Sequence, residues 1–147
     1  MNNVERAVSY FKDGFNCSQA LLSTYGPQLG LPEDTARKIG APFGGGIAGM
    51  AETCGVVTGA LMVIGLKAGN TKAADRKSKR ETNRLVKEFL ELFQARNNSV
   101  ICRELLGCDI STPEGAKAAK DGKLIPTQCP KFVRDAAEIV EEVLELP

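Results

Sequence analysis

Apolar side chains recur at three- and four-residue intervals from the first residues of the chain onward. Val4, Ala7, Val8 and Phe11 form one stripe that follows an asparagine cap and stops at Gly14, which predicts a first helix. Asn16 can cap a second helix, running from Cys17 through Ala20, Leu21 and Leu22 to Gly26-Pro27. Pro32, Glu33 and Asp34 open a third, short helix that Gly40 and Pro42 close, and a glycine-rich turn follows at Gly44-Gly45-Gly46 and Gly49.

From Thr53 to Leu66 the chain is apolar on all sides, which predicts a helix buried on every face at the centre of a bundle. A long helix is expected from Thr71 to about Arg96, charged in its first half and burying Leu85, Val86, Phe89, Leu92 and Phe93 in its second. Short helices are expected at 100–106 and 113–120. Pro130 is read as the first position of the last helix, with Phe132, Val133, Ala136, Val140, Val143 and Leu144 on one stripe. No segment alternates with the period of a strand. The expected fold is therefore all-α, a compact helical bundle of about six to eight helices in one domain spanning 1–147.

Composition sharpens the chemistry more than the fold. Nineteen basic and eighteen acidic side chains nearly cancel, so charge points to neither nucleic acid nor membrane. The longest apolar stretch, 55–66, is well short of the ~20 residues that span a bilayer. The N-terminal segment lacks the basic and apolar runs of a secretory signal, so a cytoplasmic location is expected. In that compartment five cysteines read as ligands or redox thiols rather than as a disulfide framework. There is no histidine, which removes His-based acid/base catalysis, Cys-His nucleophile pairs and His-ligated metals. Sulfur is left to do the work.

Four of the cysteines fall in a predicted first helical turn. Cys17 follows the cap Asn16, Cys54 follows the cap Thr53, Cys102 lies three residues after the cap Ser99, and Cys129 directly precedes Pro130. At such positions unpaired N–H groups and the helix dipole stabilise a thiolate and raise both reactivity and metal affinity. Cys108 follows Gly107, where a helix ends, and is the spare. Taken singly, any of these cysteines reads more readily as a small buried hydrophobe, and their spacings match no zinc finger, ferredoxin run or Cys-x-x-Cys motif. Gly55 and Gly59 leave one helix face bare, which suits close packing beside the site.

Cys17 in GFNCSQALL, the segment FGGGIAGMAETCGVVTGALMVIGL, Cys102 in CRELLG and Cys129 in CPKFVRDAAEIVEEVL together resemble the redox-active family named for its C_GCAxxG_C_C cysteine pattern. The likeness covers nearly the whole chain. Its Cys-Gly-Ala-x-x-Gly element reads Cys54-Gly55-Val56-Val57-Thr58-Gly59, with valine for alanine, and the family's four cysteines map onto Cys17, Cys54, Cys102 and Cys129. The resemblance implies redox-active thiols. A similar domain joined to the haem region of split-Soret cytochromes is associated with an iron–sulfur centre, which implies electron transfer to and from a separate redox partner protein.

Three functions follow as expectations. The four thiolates hold an iron–sulfur cluster, with the two-iron kind favoured; or they act as a dithiol/disulfide oxidoreductase; or zinc on the same sulfurs staples an interaction module. Homodimerisation is expected of a small bundle with a bare-glycine core helix. The turn at 43–50 lacks the P-loop lysine, and the basic run Lys72, Arg76, Lys77, Lys79, Arg80 and Arg84 is broken by Asp75 and Glu81 with no aromatics interleaved. Close packing and a solvated face are the readings preferred there.

Overall fold

The computed structural model describes residues 1–147. Eight α-helices make up the fold: α1 (Asn3–Lys12), α2 (Cys17–Tyr25), α3 (Glu33–Gly40), α4 (Gly55–Ala68), α5 (Arg76–Asn97), α6 (Cys102–Leu106), α7 (Pro113–Asp121) and α8 (Leu124–Leu144), with 3-10 turns at Pro27–Leu29 and Ala41–Phe43. There is no strand, only one isolated antiparallel bridge between Thr53 and Ile101. The all-α expectation holds.

The first two helices start where their caps place them. Asn2 and Glu5 close a capping box on α1, and Asn16 and Gln19 close one on α2, each satisfying backbone N–H groups that the first turn leaves unpaired. α1 buries Val4, Ala7 and Val8 on one stripe against α8, while α2, α4 and α8 pack together at the centre. α5 lies along α4 and α8, inserting the fully buried Phe89 and Phe93, which stack with ring centroids 5.9 Å apart. Burying two Phe side chains contributes roughly 2–3 kcal/mol each.

Four boundaries and burial patterns differ from expectation. α5 begins at Arg76 rather than Thr71, because Asp75 accepts the Ser78 N–H and so sets the cap. α8 begins at Leu124, six residues before Pro130, which lies inside the helix and not at its first position. Pro is uncommon there because it forgoes one helical hydrogen bond. α4 is not covered all round: Val56, Val57, Ala60, Val63 and Ile64 are buried, but Gly65 and Leu66 face solvent. The most completely buried helix is α2, with eight of nine residues inside. Its hydroxyls make this possible, since Ser23 and Thr24 donate to the carbonyls of Gln19 and Ala20 within the helix.

Candidate functional site

Two cysteine-bearing segments are joined by backbone hydrogen bonds that no helical pattern announces. Around the Thr53–Ile101 bridge the Cys54 N–H donates to the Val100 carbonyl at 2.8 Å, and the Cys102 N–H donates to the Glu52 carbonyl at 2.6 Å. The starts of α4 and α6 are thereby held side by side. On the other flank, the Asn16 amide donates to the Gly40 and Ala41 carbonyls, which fixes the start of α2 to the turn leading into the glycine segment.

That segment is wound left-handed. Gly45, Gly46, Ile47, Ala48 and Gly49 have φ between +51° and +72°, and Ala51 follows at +59°. The Ala51 and Glu52 N–H groups donate to the Gly45 and Gly46 carbonyls and close the turn. For Ile47, a β-branched residue, this conformation is a genuine outlier costing roughly 1–2 kcal/mol, and such strain is retained where the surroundings over-determine it. The gain is close approach: a Cβ on Gly46 would sit 2.7 Å from the Cys102 Cβ, and one on Gly55 would sit 3.0 Å from the Cys17 Cβ. Gly59 does the same a turn further along α4, where a Cβ would sit 3.0 Å from the Leu21 Cβ, so α2 and α4 meet backbone to backbone.

Cys17, Cys54, Cys102 and Cys129 all line one cavity of about 450 Å³. Most of its other walls are apolar, from Phe11, Phe15, Leu105, Leu106, Ile110, Ile125, Pro126, Pro130 and Phe132; Gly14, Gly45, Gly46, Gly55 and Asn16 also line it, and Lys12 is the only charged side chain among its lining residues. The four cysteines are each between 6% and 9% exposed. Cys108 is half-buried and does not line the cavity.

The four cysteines do not share the helix-start position that the sequence predicts. Cys17 occupies the first position of α2 as expected, and Cys102 the first of α6, but the α6 cap is Ile101, and Ser99 instead accepts the Ile101 N–H and donates to Glu104. Cys54 is itself the cap of α4; Thr53 is in the bridge. Cys129 lies in the second turn of α8, away from any free N–H group, because the helix starts at Leu124. The sulfurs converge nonetheless.

Their electrostatics are unequal. Hydrogen bonding to Cys17, helped by the Val56 and Val57 N–H groups, holds Cys54 below the usual thiol range against the opposing effect of burial. The helix N–H groups face the sulfur without completing a capping hydrogen bond, so the Cys17 contact leads. Cys17 is pushed well above the usual range by its contacts with Cys129 and Cys54 and by burial. Burial pushes Cys102 up to about 12. One thiol is thus set to ionise first with a protonated neighbour beside it.

The chain matches the C_GCAxxG_C_C family, described as putative redox-active proteins, over residues 15–143. It belongs to this family. In this C_GCAxxG_C_C protein, the matched span contains every cysteine of the cavity and the glycine segment that shapes it. No curated protein and no solved structure matches the chain. No helix is long and apolar enough to cross a membrane.

The donor set is chemically suited to a soft metal or cluster, since it consists of sulfur alone. As the side chains stand, however, no three of them form a group placed to hold a metal ion. A single tetrahedral zinc would need such convergence. The apolar walls of the cavity carry no signal in the sequence pattern. Phe15 sits in a loop with no periodicity, and Ile110 and Ile125 carry no motif.

Proposed function

We propose that this redox-active protein works by reversible thiol–disulfide chemistry centred on Cys54 and Cys17, with Cys102 and Cys129 completing the sulfur-lined cavity. The observation that carries this reading is that Cys17 and Cys54 line the same apolar cavity at the starts of α2 and α4, which meet so closely that a Cβ on Gly55 would sit 3.0 Å from the Cys17 Cβ. The reactive form of a thiol is the thiolate, and a protonated thiol beside it supplies the second sulfur of a disulfide. Two electrons and two protons leave as the S–S bond forms.

A second reading is electron transfer through an iron–sulfur cluster, favoured by the number of sulfurs. A dithiol needs two, and four from separate segments face this cavity. Cys17, Cys54, Cys102 and Cys129 would hold the cluster, which would supply one-electron transfer to a separate redox partner protein. The zinc staple has no comparable observation behind it.

The deciding experiment is anaerobic purification of the full chain, with iron, sulfide and zinc content measured alongside a thiol titration before and after mild oxidation. Thiol chemistry predicts metal-free protein that loses two titratable thiols on oxidation, mapped to Cys17 and Cys54, and regains them with a dithiol reductant. Stoichiometric iron and sulfide, with all four cavity thiols protected, would instead establish the cluster.

A further inference from the structure

The cavity is larger than a disulfide requires, and its walls select a visitor. A volume of about 450 Å³ lies within the ~300–1,000 Å³ typical of small-molecule sites. The sulfurs, at 6–9% exposure, cannot meet a sulfur on the surface of another folded protein without the site opening. A small molecule can enter. Three aromatic rings, Phe11, Phe15 and Phe132, line the cavity, and Phe15 is itself fixed, stacked under Arg37 at 4.2 Å and edge-on to Tyr10 at 6.0 Å. Nicotinamide and flavin nucleotides carry phosphates, which need several cations or donors, and Lys12 alone is charged here. These walls suit a redox carrier that is flat, conjugated and uncharged.

We propose that the cavity is a binding site for a quinone, which accepts the electrons of the Cys17–Cys54 dithiol. The inference deepens the thiol reading above and rests on it. In the step, an S–S bond forms between Cys17 and Cys54 as two S–H bonds break. The two electrons and two protons pass to the quinone, whose carbonyl oxygens become the hydroxyls of the hydroquinone. Ile125 stands at the mouth: it is 40% exposed, it lines the cavity, and it lies in the first turn of α8, where an acidic side chain is favourable to the helix.

The test uses the full reduced chain under anaerobic conditions with tetramethylbenzoquinone, whose fully substituted ring blocks addition of thiols. Its hydroquinone, which cannot oxidise the thiols, measures binding by calorimetry. Saturable binding is expected, weakened at least tenfold by Ile125→Glu and kept by Ile125→Leu, together with loss of two thiols per quinone reduced. Absence of saturable binding, or equal binding to Ile125→Glu, overturns the site. Binding that responds to Ile125→Glu with no loss of thiols overturns the quinone as electron acceptor, and the thiol reading itself falls only if mild oxidation likewise leaves every thiol titratable.

Discussion

The Cys17 thiol leans on Cys54, and the contact drives the two titrations apart, Cys54 downward and Cys17 upward. The asymmetry has a direct chemical consequence. In the reduced, metal-free protein, Cys54 is expected to react first with a small alkylating agent that fits the cavity. Its rate should rise with pH through a midpoint below the ~8.5 of a free thiol. Mass-spectrometric mapping of iodoacetamide labelling between pH 5 and 9 checks this, and preferential labelling of Cys17 would reverse the assigned roles.

Much of this was legible in the residue pattern, and the failures have physical causes. Helices α1 and α2 were readable because an asparagine cap and a partner three residues on leave little choice of start. The beginning of α8 was not, since Pro130 resembles an opening signal, whereas packing of Phe132, Val133 and Ala136 tolerates it in mid-helix. The helix-start signal that marks the cavity cysteines fails at Cys129, which lies inside α8. The left-handed turn at Ile47 and Ala48 had no signal beyond its neighbouring glycines, because neither residue favours it. A cavity wall assembled from Phe15, Ile110 and Ile125 is a tertiary fact, invisible to periodicity.

Replacing Cys54 with serine is expected to abolish reversible thiol oxidation while leaving the fold intact, because the apolar core is built mostly from other residues. Circular dichroism should be unchanged, and the number of thiols lost on mild oxidation should fall from two to none. Cys108→Ser, outside the cavity, should leave that number at two. A Cys54→Ser protein that still cycles two thiols would transfer the chemistry to the Cys17–Cys129 contact.

Gly46→Ala tests the close approach of the left-handed turn. With φ at +71° and a new Cβ 2.5 Å from the Glu52 nitrogen and 2.7 Å from the Cys102 Cβ, the turn or Cys102 must move. Destabilisation of about 1–3 kcal/mol is expected, with altered Cys102 reactivity. Gly49→Ala is the control, since it shares the positive φ at +72° but has open space around it. Equal effects in the two variants would assign the whole cost to backbone strain and none to the sulfur contact.

Ser18 is fully buried between α2 and α4, and its Oγ has no hydrogen-bond partner. A buried polar group left unpaired costs roughly 1–3 kcal/mol. Ser18→Ala is therefore expected to raise stability by about 1 kcal/mol, helped by alanine's better helix propensity. A loss of stability in urea unfolding would show that the hydroxyl is paired in solution, with a buried water as its partner.

Alkaline conditions should unfold the reduced, metal-free protein through groups kept neutral inside it. Cys102 is pushed up to about 12 by burial, and Cys17 is raised by Cys129, Cys54 and burial. Tyr25 is raised by burial and by its hydroxyl's hydrogen bond to the Glu141 carboxylate. For groups raised in the folded state, stability is fully present below the unfolded pKa, ~8.5 for thiols and ~10 for tyrosine, and is lost as pH climbs toward the folded values. Cys54 acts in the opposite sense: its stabilising contribution is present above ~8.5 and fades as pH falls through its lowered folded value. The raised groups outnumber it, so unfolding free energy should decline between about pH 9 and 12, by at most ~1.4 kcal/mol per pH unit for each group. Urea unfolding at pH 7.5, 9 and 10.5 measures the slope, and Cys102→Ala should reduce it. A flat profile across that range would mean that these thiols ionise as readily inside the protein as outside, and that the cavity is far wetter than its walls imply.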